Sequence, residues 1–141
     1  AMVKIGFIGL GTMGGSFATN IIKAGFDITV NDIHRQVAEP QLAAGAKWAN
    51  TPRELAAASD VILTSLPGPP EVEAVTLDQT DGLIAGMAPG SILFDLSTNS
   101  PTNLARVWGR RSEFLMMPHN FCNLSSSINI IFNKTQFYIK Y

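Results

Sequence analysis

Val3-Lys4-Ile5-Gly6-Phe7-Ile8-Gly9-Leu10-Gly11-Thr12-Met13-Gly14 is a short apolar run that breaks into glycines. Its first six residues read as a buried β-strand. Behind the glycines, residues 13–24 place Phe17, Ala18, Ile21 and Ile22 at helical spacing and stop at Gly25, a helix C-terminal signal. The glycines between strand and helix form a G-x-G-x-x-G. In that pattern Gly9 allows the tight turn, Gly11 lets the backbone approach a pyrophosphate, and Gly14 lets helix and strand pack closely. The free N–H groups at the helix start, and its dipole, favour bound phosphates, and Leu10, Thr12 and Met13 between the glycines join the expected cofactor contacts. The alternative is a purely structural strand-to-helix turn, since glycine-rich turns are common.

Working outward, residues 27–30 alternate as a second strand, and Asn31-Asp32-Ile33 follows. Asp32 lies 18 residues after Gly14 and 23 after Gly9. A carboxylate at the end of the second strand accepts hydrogen bonds from the ribose hydroxyls of adenosine and repels a 2′-phosphate, which favours NAD over NADP. Arg35 points the other way, because an arginine nearby can hold a 2′-phosphate. Asp32 carries more weight, since it sits where the strand ends. Asn31 joins it among the expected cofactor contacts.

The alternation continues. Residues 37–44 read as a helix ending at Gly45, with Pro40 in its first turn or kinking it. Residues 47–49 make a short third strand. Thr51-Pro52-Arg53-Glu54 fits a capping box with proline at the first helical position, opening a helix that runs to Ala58. Residues 61–66 are a fourth strand, 71–77 a helix, 91–95 a fifth strand, and Ser100-Pro101 opens another helix. Strands apolar on both faces and separated by helices imply an α/β fold, a Rossmann-type doubly wound parallel sheet. Ligands of such sheets sit at the carboxyl ends of the strands. Ser65-Leu66-Pro67 and Ser97-Thr98 fall there too, where their hydroxyls and backbone can reach the ribose and nicotinamide half of a dinucleotide.

The 141-residue chain is 46% apolar and 15% charged, a globular composition. Ten Lys and Arg against 11 Asp and Glu give a net charge of −1 and no basic stripe for nucleic acid. No apolar stretch is long enough for a membrane span. The start shows no signal-peptide pattern, and Ala1 before Met2 looks like a tag scar. One cysteine, Cys122, excludes a disulfide framework within the chain and suits a cytoplasmic protein. His34, His119 and Cys122 make neither a metal site nor a nucleophile–base pair. Composition changes near Arg111. From Ser112 onward there is no Gly and no Ala, but four Phe and four Asn. We therefore divide the chain into a dinucleotide-binding domain, residues 1–111, and a divergent tail, residues 112–141. The Ile128-Asn129-Ile130-Ile131-Phe132 run in the tail has the propensity of an edge strand.

Three motifs together resemble the β-hydroxyacid dehydrogenases, the family of 3-hydroxyisobutyrate dehydrogenase, related to 6-phosphogluconate dehydrogenase. Residues 7–25, FIGLGTMGGSFATNIIKAG, resemble its amino-terminal signature. Residues 59–75, with Leu66-Pro67, resemble its second cofactor segment, and Asp95-Leu96-Ser97-Thr98-Asn99-Ser100-Pro101 its D-x-S-T-x-x-P segment. The resemblance covers about residues 3–107. It implies cofactor contacts from residues 9–14, Asp32, Leu66, Pro67 and Thr98. It also implies reversible hydride transfer between nicotinamide and the β-hydroxyl carbon of a small hydroxy acid. Phe114-Leu115-Met116-Met117-Pro118-His119-Asn120 overlays the start of the family's substrate loop, but Met116-Met117 replaces its Asp-Ala pair and Ser-Gly-Gly is missing. Lys134 and Lys140 match no motif, so no catalytic residue is assigned. The family's helical carboxyl-terminal domain has no counterpart in the chain. The expectation is a cofactor-binding half with little turnover alone. The competing expectation is a non-catalytic NAD-binding module that self-associates through its tail into a homo-oligomer.

Overall fold

The computed structural model describes residues 3–96. Five parallel strands form one sheet in the order β3-β2-β1-β4-β5. They are β1 (Lys4–Ile8), β2 (Asp27–Asn31), β3 (Lys47–Trp48), β4 (Val61–Thr64) and β5 (Ile92–Asp95). The helices are α1 (Thr12–Lys23), α2 (Glu39–Ala43), α3 (Pro52–Ala57), α4 (Pro69–Leu77) and α5 (Leu83–Gly86). β1 lies at the centre, between β2 and β4, so the strand order reverses at its carboxyl end. That is where an open α/β sheet leaves a crevice.

The register explains why both faces are buried. Ile28, Ile5, Val61 and Ile92 lie side by side across the sheet, as do Val30, Phe7, Leu63 and Phe94. These two rows share one face and pack on Phe17, Ala18 and Ile21 of α1. The Phe7 and Phe17 rings meet at 5.7 Å between centroids. The intervening residues turn to the other face, where Ile8, Ile62 and Leu93 pack on Leu55 and Ala56 of α3 and Leu83 of α5. Gly6 belongs to this face, and Leu55 of α3 and Ser59 just beyond its end close onto it. The last row on this face turns polar: Asn31, Ile8, Thr64 and Asp95 are neighbours in register. Its three polar members are buried, at 7%, 1% and 2% exposure. Thr64 Oγ1 donates to Asp95 Oδ1 at 2.9 Å, and Asn31 Nδ2 to the Ala49 carbonyl at 2.9 Å. Such pairing is what permits polar side chains at the floor of a crevice.

Helix ends follow their residues. After α1, Gly25 has φ of 88°, its N–H donates to Ile22 O, and Phe26 N–H donates to Ile21 O at 3.4 Å. This is a Schellman stop. Gly45, with φ of 106°, ends α2 the same way. Thr51 caps α3 by accepting from Glu54 N–H at 3.1 Å. The Glu54 carboxylate accepts from Asn50 N–H instead of Thr51 N–H, one residue off a strict capping box.

Three elements differ from expectation. The helix expected over residues 37–44 is a 3-10 turn, Arg35–Ala38, followed by the short α2. Pro40 has no N–H to continue an α-helical ladder from residue 36, so the preceding turn tightens. The fourth strand ends at Thr64 instead of Leu66, because Pro67 cannot donate to a ladder and the chain turns away. The one-turn α5 was not expected. Glycines at 82 and 86 hide its apolar Leu83 and Ile84. Before α5, N–H groups of Asp81 and Thr80 bond the Asp78 carboxyl and hold it below its usual pKa. The helix expected at Ser100-Pro101 and the division at residue 111 lie outside the described residues.

Candidate dinucleotide-binding site

The carboxyl ends of β1, β2 and β4 converge on one loop. Gly9 N–H donates to the Asn31 carbonyl at 3.1 Å, and Leu10 N–H to Asp32 Oδ2 at 2.8 Å. Ser65 N–H donates to the Ile8 carbonyl at 2.9 Å, fixing the third side. Gly9 has φ of 93°, and a Cβ there would run into the Ser65 carbonyl. A Cβ on Gly14 would run into the Gly9 carbonyl, so the first turn of α1 lies directly on the loop. The protein's own backbone thus demands glycine at both positions.

Gly11 is different. It is the N-cap of α1, with φ of −62°, a value any residue adopts. A Cβ on it would meet nothing within 4 Å. Nothing in the described protein requires glycine there, and a ligand approaching the backbone would. No side chain caps α1, and no acidic residue lies in its first turn. The first four N–H groups of an α-helix lack intrahelical partners, so this end presents donors and positive potential to an anion. These features fit the pyrophosphate of a dinucleotide.

Asp32 is part-buried beside the loop. Its Oδ1 accepts from His34 N–H at 2.9 Å while Oδ2 holds Leu10 N–H. A carboxylate has about four acceptor positions, so each oxygen keeps capacity for a ribose hydroxyl. Asn31 acts on the loop through its carbonyl, since its side chain is buried and turned to Ala49. Thr12 and Met13 are exposed, Met13 at 68%. Leu66 is half-buried, packed with Ile8 and Val72, and lies against Gly9, while Pro67 is exposed. Thr98 and Ser97 lie outside the described residues.

Two features were missed in the sequence. Ile33 is 91% exposed immediately after Asp32, an apolar surface beside the site that a flat ring can cover. Its signal was an isoleucine in a polar turn. Gln41 of α2 is 4% exposed and its Nε2 donates to the Gly15 carbonyl at 3.1 Å, bracing the glycine helix from outside. The groove between α1 and α2 has a volume of about 600 Å³ and begins at Leu10, Gly11 and Thr12. Among the described residues no cluster of His, Cys, Asp or Glu could hold a metal ion, and no helix is long and apolar enough to cross a membrane.

Sheet, crossover and glycine loop define a Rossmann-type dinucleotide-binding domain. Residues 4–113 match the family described as the NAD binding domain of 6-phosphogluconate dehydrogenase, and the chain belongs to that family. NAD-dependent L-serine dehydrogenase of Pseudomonas aeruginosa is 40% identical over 112 residues, 79% of this chain and 37% of that protein. A probable 3-hydroxyisobutyrate dehydrogenase-like protein of Arabidopsis thaliana is 37% identical over 111 residues, 79% of this chain and 33% of that one. The structure of Mycobacterium tuberculosis 3-hydroxyisobutyrate dehydrogenase with L-serine matches with a TM-score of 0.72 at 29% identity, covering 82% of this chain and 39% of that one. The chain thus spans 37% and 33% of the length of these two curated relatives.

Proposed function

We propose that the chain binds NAD across the carboxyl ends of β1, β2 and β4, as the cofactor half of a dehydrogenase for a small β-hydroxy acid. The observation that carries this reading is the linkage of Asp32 to the glycine loop through Leu10 N–H at 2.8 Å, beside an uncapped helix start. Backbone N–H groups of residues 11–14 would hold the pyrophosphate over the turn shaped by Gly9 and Leu10, whose own N–H groups are bonded to Asn31 and Asp32. Asp32 would accept from the adenosine ribose, and Leu66, Pro67 and Thr98 would line the nicotinamide half. When bound, NAD supplies the hydride acceptor. The chain's part is to fix its orientation and to exclude a 2′-phosphate. The substrate class follows from two names among the relatives and the matched structure, L-serine and 3-hydroxyisobutyrate. Both carry a primary alcohol on the carbon β to a carboxylate. We place the protein in the cytoplasm on its single cysteine.

Titration of NAD and NADP into the purified chain, followed by melting temperature, tests the reading. NAD at 100 times its dissociation constant should add about 2.7 kcal/mol of stability, and NADP less. No shift with NAD would overturn it. We further assign cofactor binding to residues 1–111 and no proton-transfer group to residues 112–141. Since hydride transfer needs both a positioned substrate and such a group, NAD with L-serine or 3-hydroxyisobutyrate is expected to give no turnover above background. A robust steady-state rate from the chain alone would overturn that assignment.

A further inference from the structure

We propose that Trp48 helps set the exclusion of a 2′-phosphorylated cofactor, by holding the Arg35 guanidinium on its ring. The inference rests on the reading of Asp32 as the ribose acceptor. Arg35 opens the 3-10 turn three residues past Asp32 and is the first cation after that carboxylate. Its Cζ lies 5.2 Å from the centroid of the Trp48 ring, within the range of about 6 Å for cation–π attraction. Trp48 is built to stay in place. It pairs in register with Val30, two residues before Asp32 on the neighbouring strand. Its Nε1 donates to Asn50 Oδ1 at 3.0 Å, and Asn50 N–H donates to the Glu54 carboxylate at 2.9 Å. The ring is thus anchored at the sheet edge and tied through Asn50 to the first turn of α3, while Arg35 is exposed and has the freedom to leave it.

A 2′-phosphate at the ribose needs a cation at its edge, and arginine is the side chain suited to grip a phosphate with paired donors. Two devices oppose that here. The Asp32 carboxylate repels the phosphate, and Trp48 holds the arginine that would otherwise turn toward it. The second effect is the smaller. A cation–π contact at an exposed site, with the strength usual there, corresponds to about a two- to five-fold change in an equilibrium. Trp48 therefore tunes a preference that Asp32 dominates.

The test is the ratio of the NADP to the NAD dissociation constant, measured by calorimetric titration on the full chain. Trp48→Leu is expected to lower this ratio about two- to five-fold. Trp48→Phe keeps a ring at the sheet edge but weakens the stack, so it should move the ratio the same way by less, and it serves where Trp48→Leu does not fold. Adding Arg35→Ala to either variant should abolish the gain, which a merely structural role of Trp48 would not produce. NAD binding with an unchanged ratio in both Trp48 variants would overturn the inference, as would a gain that survives Arg35→Ala. Failure of the unaltered chain to bind NAD would overturn the cofactor reading instead.

Discussion

A Gly9→Ala chain is expected to lose several kcal/mol of stability, while Gly11→Ala, two residues on, folds almost as well as the original. At Gly9 two costs combine. The residue sits at φ of 93°, outside the comfortable range of L-amino acids, which costs about 1–2 kcal/mol. The added methyl also meets the Ser65 carbonyl, so the ends of β1 and β4 must part, and overpacking of this kind costs about 1–3 kcal/mol. The sum is a large share of the 5–15 kcal/mol that typically holds a domain together. Gly11→Ala has neither problem, since its φ is −62° and its Cβ would meet nothing within 4 Å. The alanine is a poorer N-cap by roughly 1 kcal/mol or less. Its effect should fall on the ligand, with NAD affinity reduced more than about tenfold, because the methyl stands between the helix start and the pyrophosphate. Urea unfolding and NAD titration of the two variants check this contrast. A Gly11→Ala chain that binds NAD normally would mean that the open space over the loop is not used by the cofactor.

The second large effect concerns Asp32. Asp32→Ala removes the acceptor of two backbone N–H groups, those of Leu10 and His34, at 2.8 and 2.9 Å. Hydrogen bonds to a charged group contribute about 1.5–3 kcal/mol each, and ribose hydroxyls would lose the same partner. NAD affinity should therefore fall about 10- to 100-fold, with a loss of stability in the free chain. Asp32→Asn separates the two effects. Its single amide oxygen can keep Leu10 N–H but offers less to a ribose, so stability should recover more than affinity does. Calorimetric titration of NAD into both variants, with thermal melts of the free chains, measures this. Wild-type affinity in Asp32→Ala would remove Asp32 from the ribose.

Much of the fold was legible because it rests on local patterns. Short apolar runs marked the first, fourth and fifth strands, alternation marked the second, a brief Lys47-Trp48-Ala49 segment marked the third, and Gly25 and Gly45 marked where two helices stop. The glycine loop and Asp32 were legible for a related reason, since fixed spacing along one βαβ unit places them together. What escaped depends on contacts between residues far apart in sequence. That Leu10 N–H seeks Asp32, that Asn31 turns its side chain to Ala49, and that Trp48 receives Arg35 all require the register of β2 against β1 and β3. The one-turn α5 escaped because four residues are too few to show a helical period. The dinucleotide reading held without these contacts, whereas the way the loop is braced needed them.

The hydrogen bond from Leu10 N–H to Asp32 has a consequence for how such a protein could change its cofactor. One carboxylate braces the loop and, in the proposed function, would also meet the ribose, so on that reading the two traits cannot be exchanged independently. A lineage or an engineer replacing Asp32 with a residue that welcomes phosphate would first leave a backbone donor unsatisfied. Viable routes then pass through intermediates that restore an acceptor for that amide, such as Asn or Ser at position 32. Direct replacement by a cation is the step most exposed to failure, and Arg35 is the place from which a positive charge could be recruited afterwards.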